Sequence, residues 1–119
     1  FDVYLSTKFT KMNWKVLENS NQIENIKEAS HNKLQLIFKH STRCIISKMA
    51  LKNFESDFLK HDIIDAYYLD LIAYRDISNK IADDFGITHQ SPQILLIKDG
   101  KVVYHESHEG IDANVLKAF

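Results

Sequence analysis

A single thiol, Cys44, stands in the stretch HSTRCIIS (residues 40–47), where an apolar run ends and a helical pattern begins. A cysteine at such a junction meets backbone N–H groups with no intrahelical partner. The positive end of the helix dipole there favours thiolate, the nucleophilic form. Arg43, His40 and Lys48 add basic groups close by in sequence, and Lys48, four residues on, can share a helix face with the sulfur. The chemistry open to such a thiolate is attack on a disulfide sulfur. The competing reading is an inert core cysteine, because lone cysteines are commonly buried. Sequence position leaves both open.

Ser47 occupies the place of the second thiol in a C-x-x-C pair. A C-x-x-S chain cannot close an intramolecular disulfide, so any redox cycle must pass through a mixed disulfide resolved by an outside thiol. Ser47 could donate a hydrogen bond to the sulfur, or be an ordinary early-helix serine. His40 could stabilise a thiolate as a cation or shuttle a proton. Pointing to solvent from the strand end is the preferred alternative. Ser91-Pro92 contains the only proline and precedes an apolar run. A cis bond is possible there, although trans is the default. Such a turn would leave the backbone of Ser91 free to pair with an extended segment of a substrate.

Other chemistry is poorly supported. Of six histidines, His105 and His108 form the closest pair, but a strand would set them on opposite faces, and no metal site is expected. Asp83 and Asp84 diverge on a helix and read as solvated carboxylates. The net charge is −1, from 15 basic and 16 acidic residues, so no nucleic-acid partner is expected. No polybasic block and no apolar stretch near the ~20 residues of a spanning helix suggest a membrane. No secretion signal is seen, and one cysteine fits a reducing compartment, the cytoplasm being the natural one.

The elements that must position these groups follow from periodicity. Residues 1–11 read as a tag remnant or an N-terminal arm, and 12–119 as one domain of ordinary size, 45% hydrophobic. Trp14 to Leu17 is a short edge strand. A helix capped by Asn19 or Ser20 runs to about Ser30, and Lys33 to Lys39 is a strand buried at its centre. Ser41 or Thr42 is the next capping candidate. The helix after Cys44 should place Met49, Leu51, Phe54, Phe58 and Leu59 on its apolar face and end near Lys60. Ile63 to Leu71 is a strand, and a helix opened by Asp76 or Ser78 closes at Gly86. Gln93 to Lys98 and Lys101 to Glu106 form a hairpin about Asp99-Gly100. Ile111 to Phe119 reads as a terminal helix. Phe54, Phe58, Tyr67, Tyr68 and Phe85 are core candidates. The order β-α-β-α-β-α-β-β-α implies an α/β fold: a mixed sheet with a parallel βαβ half and a C-terminal antiparallel hairpin, flanked by helices.

This arrangement is similar to a thioredoxin-like fold. More specifically, HSTRCIIS (40–47), SPQILLIKDGKVVYHESH (91–108) and WKVL (14–17) resemble the monothiol bacilliredoxin, or YtxJ-type, family over roughly Trp14 to Phe119. The family pattern at the thiol is Thr-Cys-Pro-Ile-Ser-like. Cys44, Ile46 and Ser47 match it, Thr42 precedes at one residue's remove, and Ile45 stands where the family has proline. That proline would pre-organise the first helical turn, but its absence removes no atom the chemistry needs.

The resemblance implies a monothiol thiol–disulfide oxidoreductase. Cys44 would be catalytic, Thr42, Arg43, His40 and Ser47 supporting, and Ser91, Pro92 and Gln93 the substrate-binding loop. It implies removal of bacillithiol from S-bacillithiolated proteins in the cytoplasm of a bacterium that makes bacillithiol. A low-molecular-weight thiol or a partner reductase would restore Cys44. Bacillithiol would be a co-substrate, with no metal or organic cofactor. Two alternatives are a non-catalytic thioredoxin-like binding module and a monothiol glutaredoxin-like protein. Against the second, the Gly-Phe-Ser expected after its cysteine is replaced by Ile45-Ile46-Ser47.

Overall fold

The computed structural model describes residues 12–58 and 63–119. The expected N-terminal arm over 1–11, and Leu59 and Lys60 at the expected end of the second helix, lie outside the described residues. The elements are β1 (Lys15–Val16), α1 (Asn21–Ala29), β2 (Leu34–His40), α2 (Ile45–Asp57), β3 (Ile64–Asp70), α3 (Arg75–Phe85), β4 (Gln93–Lys98) and β5 (Lys101–Ser107). Two 3₁₀ segments, His108–Gly110 and Ala113–Ala118, follow. The strands form one sheet in the order β1-β3-β2-β4-β5. The β1–β3 and β3–β2 pairs are parallel, whereas β2–β4 and β4–β5 are antiparallel. This is the mixed sheet expected from the element order.

β2 is the central strand, and its last six residues are buried. That explains its near-continuous apolar run, since both faces are covered. Leu36 and Phe38 pack with Phe54, Phe58, Ala113 and Leu116 on one side. Ile37 joins Ile23, Ile26, Ile77 and Ile81 on the other, as the two-residue strand period requires. Phe54 is the hub of the first layer, with ring centroids 5.4 Å from Phe38, 5.3 Å from Phe58 and 6.1 Å from Trp14. Tyr67, Tyr68 and Phe85 are half-buried at the layer edges.

The turn chemistry is local. Asn19 Oδ1 accepts from the Asn21 amide, while Gln22 Oε1 accepts from the amides of Glu18 and Asn19. Asn19, not Ser20, therefore supplies the side-chain cap, in a reciprocal arrangement of the capping-box kind. Gly86 ends α3 in the left-handed region at φ +67°. Asp99 and Gly100 both have positive φ, +52° and +76°, as a two-residue hairpin turn with the twist of its strands needs. The Gly100 amide donates to Ser30 Oγ at 2.8 Å, fastening the hairpin to the end of α1.

Four expectations are corrected. α2 ends at Asp57, with Phe58 already extended. Met49 is 60% exposed, because the buried stripe of α2 runs through Ser47, Ala50 or Leu51, and Phe54, which turns Met49 outward. Asp76 and Ser78 do not cap α3: the cap residue is Tyr74, and Asp70 Oδ1 accepts from the amides of Ile72 and Ala73 ahead of it. The terminal segment is a 3₁₀ turn rather than an α-helix. Asp112 ahead of it is extended, and its Oδ1 accepts from the Asn114 amide in a local turn that leads into the tighter 3₁₀ winding.

Candidate active site

Cys44 is the N-cap of α2, one residue before the helix proper, with extended backbone at φ −109° and ψ 122°. It is reached by a tight turn after β2, closed by the Cys44 amide donating to Ser41 O at 3.2 Å. Its own carbonyl accepts the first intrahelical bond, from the Lys48 amide at 3.0 Å. The side chain is partly exposed and makes no capping hydrogen bond. Ser41 and Thr42 do not cap the helix either. The sulfur therefore stands where the unpartnered amides of the first turn begin. Ile45 and Ile46, which follow it in the chain, are 73% and 51% exposed, and Met49 one turn on is exposed as well. Thr42 and Arg43 are exposed at the turn, and Lys48 is exposed on α2.

Ser47 and His40 differ from expectation. His40 does not point to solvent but is buried. Its Nδ1 lies 2.8 Å from Ser47 Oγ, and the Ser41 amide donates to the same oxygen at 3.0 Å. Ser47 is fully buried and is bonded to His40 and Ser41, so its hydroxyl is committed there rather than to the sulfur. The Ser47 hydroxyl can serve both groups at once, accepting from the Ser41 amide while it donates to or accepts from Nδ1 according to the ring tautomer. Burial is the main cause that lowers the His40 pKa below the ordinary imidazole value. Lys48 and, more strongly, Asp70 and Glu55 act in opposite directions upon it. A lowered pKa disfavours the cationic role: His40 is a neutral strut that ties the end of β2 to the first turn of α2.

The proline loop lies beside this turn. Ser91-Pro92 is cis. Lys39 pairs with Gln93 across β2 and β4, so one step further the antiparallel register brings His40 and Pro92 abreast. The cysteine turn leaves β2 and the proline turn enters β4 at the same end of the sheet. Pro92 is buried, and its carbonyl accepts from the His108 amide at 3.0 Å. Ser91 Oγ is buried without a hydrogen-bond partner among the described residues. Gln93 does not face outward: its Nε2 donates to Thr88 O at 3.0 Å and its Oε1 accepts from the Gln90 amide at 3.4 Å. It braces the loop from inside instead of presenting a side chain to a substrate.

Sequence reasoning missed a second polar cluster on the opposite face of the sheet. Lys39 is fully buried and meets Ser78 and His89. The available signal was a lysine at an inward-facing position, two residues after Ile37 in a covered strand. His105 and His108 do not form a pair on one strand, since β5 ends at Ser107 and His108 opens a 3₁₀ segment. Asp84 is an ion-pair acceptor for Lys80 at 2.9 Å and Lys27 at 3.5 Å. Among the described residues no group of three His, Cys, Asp or Glu side chains could hold a metal ion, and no helix is long and apolar enough to cross a membrane.

Known proteins agree with this geometry. A structure described as a candidate oxidoreductase with a thioredoxin fold is 31% identical, with TM-score 0.74 over 87% of this chain and 89% of the other. Thioredoxin NaTrxh from Nicotiana alata superposes at TM-score 0.68 with 22% identity over 95% and 94% of the two chains. Thioredoxin Mala s 13 of Malassezia sympodialis does so at 0.66 with 23% identity over 89% and 86%. These last two show the fold alone. The family model described as monothiol bacilliredoxin BrxC matches residues 15–116. With its lone thiol at the head of α2 and a cis-proline turn beside it, this chain belongs to the monothiol bacilliredoxin BrxC family, thiol oxidoreductases of thioredoxin-like fold.

Proposed function

We propose that the chain removes bacillithiol from S-bacillithiolated proteins by monothiol exchange at Cys44. The observation that carries this reading is the partly exposed, uncapped Cys44 side chain at the N-cap of α2. The Cys44 thiolate attacks the bacillithiol sulfur of the mixed disulfide. A Cys44–bacillithiol disulfide forms, the original bond breaks, and the protein thiolate departs and takes up a proton. A second bacillithiol thiolate then attacks the bacillithiol sulfur held on Cys44, releasing Cys44 thiolate and bacillithiol disulfide; a partner reductase could serve instead. The oxygen at Ser47 cannot resolve the intermediate, so the outside thiol is required.

Supporting roles follow from position. The first-turn amides of α2 begin beside the Cys44 side chain, and the basic residues Arg43 and Lys48 are exposed on either side of it in the chain. The cis Ser91-Pro92 turn offers backbone to an extended segment of the substrate protein. No metal or organic cofactor takes part, bacillithiol being the co-substrate, and the partners are bacillithiolated proteins and the free thiol. A lone working thiol of this kind suits the reducing cytoplasm.

The test is incubation of a bacillithiolated protein with the native chain and with Cys44→Ala. Bacillithiol should transfer to the native chain, read as a mass gain on the peptide containing Cys44, and not to the variant. Equal stripping by Cys44→Ala would overturn the reading.

A further inference from the structure

Lys39 is a fully buried cation that the exchange reaction, as described, does not use. Its Nζ donates to the Ser78 carbonyl of α3 at 3.2 Å and lies 3.3 Å from His89 Nδ1 in the loop ahead of Pro92. Ser78 Oγ lies 3.1 Å from the same ring nitrogen. Lysine has donors only, so Nδ1 is the acceptor and Nε2 carries the ring hydrogen. The charges facing His89 are Lys39 and Arg75; with burial, the largest cause, they lower its pKa and keep it the neutral acceptor that Lys39 needs. Among the described residues no carboxylate pairs with Lys39. A buried ammonium served only by a carbonyl and an imidazole is a poor choice for stability.

What this cluster does secure is the loop. Lys39 holds His89, while Gln93, its cross-strand partner, holds Thr88 and Gln90. Three successive loop residues are thus fastened to the sheet immediately before Ser91 and Pro92. We propose that Lys39 is a positioning residue for exchange at Cys44, holding the Ser91-Pro92 turn through His89 where the backbone of a substrate segment pairs with it. This rests on the reading of Cys44 as the nucleophile. The lysine makes and breaks no covalent bond; it acts on the ordering of the loop.

The experiment compares the native chain with Lys39→Met, His89→Ala and the double variant. The probe is a short peptide carrying bacillithiol in a mixed disulfide. Losing a charge-assisted bond to the loop should raise KM about tenfold in each single variant, with kcat little changed, and the double variant should be no worse than either. The titration midpoint of His89, followed by imidazole NMR, should rise in Lys39→Met. An unchanged KM, a fall in kcat alone, losses that multiply in the double variant, or an unmoved His89 midpoint would overturn the proposal. Should Lys39→Met fail to fold, His89→Ala, altered only in a partly exposed loop side chain, decides by its KM. A native chain that strips no bacillithiol from the peptide would sink the proposed exchange activity itself, and the positioning role with it; an active native chain with unaffected variants would sink only the role of Lys39.

Discussion

His40 and Ser47 are locked together, imidazole Nδ1 to hydroxyl Oγ at 2.8 Å, with the Ser41 amide on the same oxygen at 3.0 Å. Seven residues apart in sequence, they join the last residue of β2 to the first turn of α2 around the turn that carries Cys44. The Ser47→Ala variant would leave a buried ring nitrogen and the Ser41 amide without their partner. We expect a loss of about 1–3 kcal/mol in urea unfolding. A loss near zero would show that the link contributes nothing to holding the cysteine turn.

The same burial makes the fold sensitive to acid. His40 and His89 both have pKa values below the ordinary 6.5, chiefly through burial. In the unfolded chain these rings take up protons first as the pH falls. Stability is therefore full above about pH 6.5 and is lost as the pH drops towards the folded values. Thermal unfolding between pH 7 and pH 5 should show this decline, and His89→Ala should make it shallower.

Lys39 gives a dependence in the alkaline range. Burial lowers its pKa from 10.5 to about 8. Below about 8 both states hold the proton and the burial penalty is fully present. As the pH rises towards 10.5 the folded state sheds its proton more readily than the unfolded chain, and the penalty disappears. The native chain should gain stability across this window, and Lys39→Met should not. At pH 7 the methionine variant is expected to be more stable by about 1–3 kcal/mol, since a buried charge is replaced by a side chain of similar length. Calorimetry at pH 7 and pH 10 checks both statements; a destabilised variant at pH 7 would refute them.

Ile45 is the first helical residue of α2 and is 73% exposed. Proline is favoured at this position, where the amide has no intrahelical partner. Cys44 before it has extended backbone at φ −109° and ψ 122°, as a residue preceding proline requires. Ile45→Pro should stabilise the chain by about 0.4–1 kcal/mol, measured by chemical denaturation, by restricting the unfolded state. A loss of stability would mean that the amide of Ile45 has a partner worth more than this.

Gly86 tests a local feature without disturbing packing. It caps α3 at φ +67°, and a Cβ added there meets nothing within 4 Å. Gly86→Ala should cost about 1 kcal/mol, the price of the left-handed conformation alone. A neutral outcome in thermal unfolding would show that the helix end relaxes.

The amino-acid sequence by itself determined the order of elements from β1 to β5, the Asp99-Gly100 turn, the Gly86 helix end and the placing of Cys44 at a strand-to-helix junction. These features rest on local periodicity and on the φ preferences of a few residues, which need no partner to act. Only the tertiary structure decided what Lys39, His40, Ser47 and Gln93 do. In sequence, Lys39 and His40 are polar residues closing an apolar run and Met49 is one more helical apolar side chain. Their fates depend on β2 being central, with α2 covering one face and α3 and the 86–92 loop the other. Neighbouring residues on such a strand point to opposite faces, so Lys39 reaches His89 and His40 reaches Ser47. Partnership of that kind is set by elements distant in the chain; the local pattern marks at most that Lys39 shares a strand face with Ile37.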